Sequence, residues 1–132
     1  MMPLSPEELI DLLKYDITTC DGVTTYRCNG EAHRDEDQPA VIYADGTKFW
    51  YQNGEMHRDN DQPAVTYADG TKYWFRNGHR HRDNDQPAII NADGSKHWYQ
   101  YGSPHRDNDQ PALIKANGDK CWFIDGTFVR HI

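Results

Sequence analysis

Residues 33–58 read HRDEDQPAVIYADGTKFWYQNGEMHR, and the closing His57-Arg58 opens the next copy of the same text. Trp50, Trp74, Trp98 and Trp122 are spaced by 24, as are His33, His57, His81 and His105, and Gly54, Gly78, Gly102 and Gly126. The unit is HRDxDQPA, a short apolar stretch, A-[D/N]-G, then x-K-x-W-aromatic-x-x-G. Self-similarity at a fixed period means that one supersecondary unit is stacked repeatedly on itself.

Each unit carries two hairpin signals. Asp-Gly or Asn-Gly between β-prone runs favours a two-residue turn with positive φ. Val41 to Ala44, Asp45-Gly46, Thr47 to Gln52, Asn53-Gly54 and Glu55 to Arg58 therefore read as a three-strand meander. Pro39 belongs at a strand start or edge, because it cannot donate to a ladder. The Arg58-to-Gln62 stretch reads as a loop or bulge. A half-unit comes first: Asp21-Gly22 and Asn29-Gly30 lie 24 residues before Asp45-Gly46 and Asn53-Gly54, with Tyr26 in the Trp position. The expected array is a half repeat plus four repeats over residues 17–132.

With two-residue turns, Val41 faces Trp50 and Trp50 faces His57 on one side of the ribbon. The other side then carries Ala40, Ile42, Ala44, Phe49, Tyr51, Met56 and Arg58, and Arg58 is expected to stack over Phe49. A slip of one residue would exchange the two sides.

Residues 1–16 are different. Ser5-Pro6-Glu7-Glu8 has an N-cap, a first-turn Pro and an N3 Glu in capping-box order, followed by Leu9, Ile10, Leu12 and Leu13. One short helix is expected, either capping the first hairpin, as a repeat array requires at its ends, or binding a partner. The fold class is thus all-β, an antiparallel repeat ribbon with a short N-terminal capping helix.

Composition limits what the ribbon can do. The chain has 132 residues, 14 basic and 21 acidic side chains, and a formal charge of -7, a length that suits one domain. Its twelve Trp and Tyr residues compensate for a low aliphatic content. Residues 1–32 carry six acids against two bases and residues 33–56 five against two, and the remainder is neutral. A nucleic-acid binder shows a basic stripe and an anionic-lipid binder a polybasic segment, so neither partner is expected. Cys20, Cys28 and Cys121 match no metal or redox spacing and read as free thiols. With no apolar run of spanning length and no leader-like start, a cytoplasmic chain is expected.

The stretch WYQNGEMH from Trp50 to His57, with Tyr43 and Asp45-Gly46 before it, resembles the MORN repeat. The HRDxDQPA segment is similar to the MORN-variant subgroup of bacterial antitoxin-like proteins and of phage and large-DNA-virus proteins. The resemblance covers roughly residues 17–132. It implies a β-hairpin ribbon used as a scaffold, a dimerisation surface or a lipid binder. Two departures stand out: the Gly-x-Gly after His is replaced by Arg-Asp-x-Asp-Gln-Pro-Ala, and the basic residues of a phosphoinositide-binding array are missing.

The charged loop is the candidate site. Asp-x-Asp can ligate calcium, but an EF-hand loop also needs Gly at its sixth position and Glu at its twelfth, and neither is present. The loops therefore read as an Arg–Asp ladder with Asx-type turns. His33, His57, His81 and His105 would lie about 10–14 Å apart, too far to share a zinc ion. They are assigned, with Trp50, Trp74, Trp98 and Trp122, to the structural core. No metal or cofactor is expected. Catalysis is argued against by symmetry, since an active site needs different groups converging on one point and this chain offers the same groups four times.

The first expectation for function is a non-catalytic protein-binding module, such as an antitoxin-like or phage-encoded inhibitor, binding through Arg34, Arg58, Arg82, Arg106, Tyr51, Phe75 and Tyr99. A small-molecule, nucleotide-type binder using the aromatic and Arg/His rows is the second. An acidic nucleic-acid mimic is the weakest, because the charge is confined to one end. A homodimer is compatible with all three.

Overall fold

A computed structural model describes residues 2–132; Met1, the first residue of the expected cap, lies outside the described residues. The described residues are mostly β, built from antiparallel hairpins, with one helix at Pro6–Lys14.

The helix starts where the capping residues stand. Ser5 is the N-cap and its hydroxyl accepts the Glu8 N–H at 3.1 Å, satisfying one of the helix's orphan donors. Glu7 and Glu8 sit in the first turn and Lys14 in the last, matching the helix dipole. The attachment to the ribbon is polar. Asp11 receives Arg34 Nη2 at 2.9 Å, Lys14 pairs with Asp35 at 2.6 Å, and only Tyr15 is buried, edge-on against Tyr26. Leu9, Ile10, Leu12 and Leu13 remain exposed.

In each repeat the second turn is the two-residue turn expected. Asn53 and Gly54 have φ of 51° and 82°, and Gln52 pairs with Glu55 across them. The first turn differs. Tyr43 N–H bonds to Thr47 O at 2.9 Å, so the loop is Ala44-Asp45-Gly46, three residues long, with Gly46 at φ 96°. Asp45 Oδ1 accepts the Thr47 N–H at 2.9 Å and closes the Asx-type turn. The extra residue corrects the expected register. Val41 faces Phe49 and Ile42 faces Lys48, so Val41, Phe49, Tyr51 and Met56 share a side, and Trp50 does not pair with Val41.

The meander is also interrupted. The first hairpins of successive repeats join in chain order into a twelve-stranded sheet, while Tyr51–Met56, Phe75–Arg80 and Tyr99–Pro104 form three separate two-stranded hairpins. The change of partner happens at Trp. Trp50 N–H donates to Ala64 O of the next repeat at 2.7 Å, while Trp50 O accepts from His57 N–H of its own hairpin at 3.1 Å. The core runs along this line. Ala40, Ala64 and Ala88 are fully buried, Ala112 nearly so, and the four Trp rings are 7–8% exposed. Small Ala residues let the wide indoles pack against the next repeat.

Candidate functional site: the edge of HRDxDQPA loops

The loops fold through a bond set that recurs from repeat to repeat. Arg58 lies over the Trp50 ring, 3.8 Å from guanidinium carbon to centroid, which corrects the expected stacking on Phe49. Its Nε and Nη2 donate to both oxygens of Asp37 at 2.8 and 3.2 Å, and Nη1 donates to Pro63 O at 3.1 Å. Trp50 Nε1–H donates to the main-chain carbonyl of the same Asp37 at 3.1 Å. One aspartate therefore holds the indole with its backbone and the arginine above it with its side chain. Arg82 with Asp61 and Trp74, and Arg106 with Asp85 and Trp98, repeat the arrangement. Arg58 and Arg106 hold the carboxyls of Asp37 and Asp85 below their ordinary value, burial opposing.

The ends adapt the same clamp. At the start Arg34 stacks on Tyr26 at 3.8 Å, and Asp11 of the helix stands in for the missing loop aspartate. At the far end Arg130 sits 4.3 Å above Trp122 and bonds Asp109 at 2.9 Å.

Histidines tie the loops to the second hairpins. His57 Nδ1 accepts the Asn77 N–H at 3.1 Å, so its proton is on Nε2, which donates to Asp59 at 2.8 Å. His33, His81 and His105 do likewise toward Asp35, Asp83 and Asp107. His81 is 3% exposed and the other three are half-buried. Asp35 is held below its ordinary value by Lys14 and then His33, and Asp83 by Arg76 and then His81.

Beyond each His-bound aspartate two residues turn left-handed, for example Asn60 at φ 61° and Asp61 at φ 56°. Asn and Asp tolerate this conformation better than other side chains. The turn pushes them outward and leaves a groove between neighbouring loops. Three grooves follow one another along the edge, about 330, 350 and 200 Å³ in volume. The middle one is lined by Asp59, Asn60, Asp61, Trp74, Arg76 and His81 among others. Asp59 and Asp107 are 79% and 78% exposed, so the outermost groups are carboxylates and amides.

The arginines and aromatics expected to bind together are placed apart. Arg34, Arg58, Arg82 and Arg106 are 13–16% exposed and committed to the clamps. Tyr51, Phe75 and Tyr99 lie on the side that carries Phe49, with Phe75 buried and the tyrosines half-buried. The outward Asn60, Asn84 and Asn108 were not among the expected site residues, although HRDNDQPA recurs verbatim in three loops. Among the described residues no group of three or more His, Cys, Asp or Glu side chains is placed to hold a metal ion, and no helix is long and apolar enough to cross a membrane. Comparison of the chain with protein-family models, curated proteins and solved structures found no match.

Proposed function

We propose that this chain is a non-catalytic, MORN-variant-like repeat module whose loop edge binds an extended segment of another protein, in the manner of an antitoxin-like or phage-encoded inhibitor. The observation that carries this reading is the recurrence of one groove type at successive loops, each offering outward aspartate and asparagine while its arginine is turned inward. Repetition of one surface suits a partner that runs along it. Surface carboxylates favour a segment bearing Lys, Arg or amide donors, and rim charges of this kind speed association in a salt-sensitive way.

The test is capture from the native host with three forms of the protein: wild type, Asn60→Arg/Asn84→Arg/Asn108→Arg, and Leu9→Ser/Leu13→Ser. The partner should be lost from the Arg triple variant and kept by the helix variant. The reverse pattern would move the site to the exposed apolar helix and leave the ribbon as its support.

A second reading, a small-ligand binder, is favoured by groove volume alone, since 330 and 350 Å³ reach the lower end of the range typical of ligand pockets. Calorimetry with cationic or polyhydroxyl ligands would separate it from the first.

A further inference from the structure

One arginine is left out of the clamps. Arg34, Arg58, Arg76, Arg82, Arg106 and Arg130 each pair with an aspartate, and Arg27 donates to Thr18. Arg80 stands where the neighbouring repeats have Met56 and Pro104, opposite Phe75 in its hairpin. It lies between two tyrosines, 5.6 Å from the Tyr73 ring centroid and 5.5 Å from that of Tyr99. Its Nε is buried with no hydrogen-bond partner among the described residues. The neighbouring repeats use an apolar or neutral side chain here without loss of the fold, so the charge is not demanded by the architecture.

We infer that Arg80, framed by Tyr73 and Tyr99 on the aromatic side of the sheet, is the binding site for the oxyanion of a small carboxylate or phosphate ligand. The Nε itself lies under protein, so a ligand would meet the two terminal nitrogens, which are not buried, and an oxyanion is the group that matches this planar pair. The flanking rings add flat apolar surface. His97 completes the surroundings. It pairs with Ile89 in the preceding strand, is stacked near Tyr99, and has its pKa lowered by burial and then by the Arg80 charge, with Asp93 opposing. The site lies on the sheet side opposite the Trp row, away from the loop-edge grooves.

Repeat symmetry supplies the control. Arg80→Met installs the residue that the first repeat already carries at this position, so the fold should survive, and circular dichroism with a melting curve checks that it does. Acetate, benzoate and inorganic phosphate are titrated at constant ionic strength while the His97, Tyr73 and Tyr99 ring resonances are followed by NMR, with chloride as the reference salt. The expected result is a saturable shift of these rings by at least one of the three probes, with half-saturation below about 10 mM, and binding at least about tenfold weaker in Arg80→Met. Benzoate binding more tightly than acetate would assign a role to the tyrosine rings, and phosphate alone binding would assign the ligand to the phosphate class. Equal shifts with chloride, equal affinity in Arg80→Met, or no saturable shift would overturn the inference.

Discussion

Replacing Arg82 by alanine removes a whole clamp from the middle of the ribbon. The guanidinium lies 3.8 Å from the Trp74 centroid, grips Asp61 at 2.8 and 3.2 Å, and reaches Pro87 O at 3.1 Å. The Asp61 carboxylate is 54% exposed, so its pairing is that of a surface ion pair and contributes at most about 1 kcal/mol. The bond to the Pro87 carbonyl has a charged donor and adds about 1.5 kcal/mol. Covering the indole adds about 1 kcal/mol, because the arginine is largely removed from water. The expected loss is about 3 kcal/mol. Arg130→Ala is the comparison. That arginine is 45% exposed, sits farther from its ring at 4.3 Å, and should cost only about 1 kcal/mol. Arg82→Lys should fall between wild type and Arg82→Ala, since lysine keeps the charge and loses the fork. Urea unfolding followed by Trp fluorescence and far-UV circular dichroism reads these differences. An Arg82→Ala protein within about 0.5 kcal/mol of wild type, or an equal loss at Arg130, would refute the clamp.

Other outcomes follow from the same contacts. Trp74→Ala should cost about 3–5 kcal/mol and more than Trp122→Ala, since Trp74 has a full repeat on each side; chemical denaturation would show equal, small losses if the row were not core. Asp35, Asp37, Asp83 and Asp85 are held below the ordinary 3.8, so the stability they contribute is present above that value and lost as pH falls through their lower folded values. A small fall in the urea midpoint is expected below the ordinary 6.5 of histidine, because burial lowers His97 and the unfolded chain takes up that proton first; the main drop is expected below about pH 4, and a midpoint unchanged down to pH 2 would contradict the ion pairs. Calcium or a chelator should leave the melting temperature unchanged, because the loop aspartates are engaged by arginine and histidine; a rise of several degrees with calcium would show a native-state site.

What could be read from the sequence was what depends on neighbours in the chain. The period, the Asn-Gly turns and the Ser5 cap are local, and each has a residue type that permits little else. The Asp45-Gly46 turn misled because Asp-Gly fits a two-residue turn equally well. What settles it is the Thr47 N–H bonded to the Asp45 side chain, which draws Ala44 into the loop. The Asx turn needs only the Asp or Asn side chain and the main-chain N–H two residues on, and the fourth repeat makes it with Asn117 and Asp119. One extra residue put Val41 on the side of Phe49 and away from Trp50; the stacking of Arg58 on Trp50 arises beyond the second hairpin, whose register is the expected one. An Arg–Asp ladder is legible in the repeated loops, but its partners and the stacking on Trp are not, because the clamp joins an aspartate to an arginine 21 positions on, across two loops whose approach depends on the finished sheet. Asp11 was harder still, since it enters from a helix and 23 positions away.

If the loop edge is the binding surface, amide hydrogen exchange of the chain, alone and with its captured partner, will show added protection at residues 59–61, 83–85 and 107–109, repeating with the period of the sequence and leaving the helix unchanged. Protection confined to Pro6–Lys14 or to Thr127–His131, with the loops exchanging as in the free protein, would contradict it.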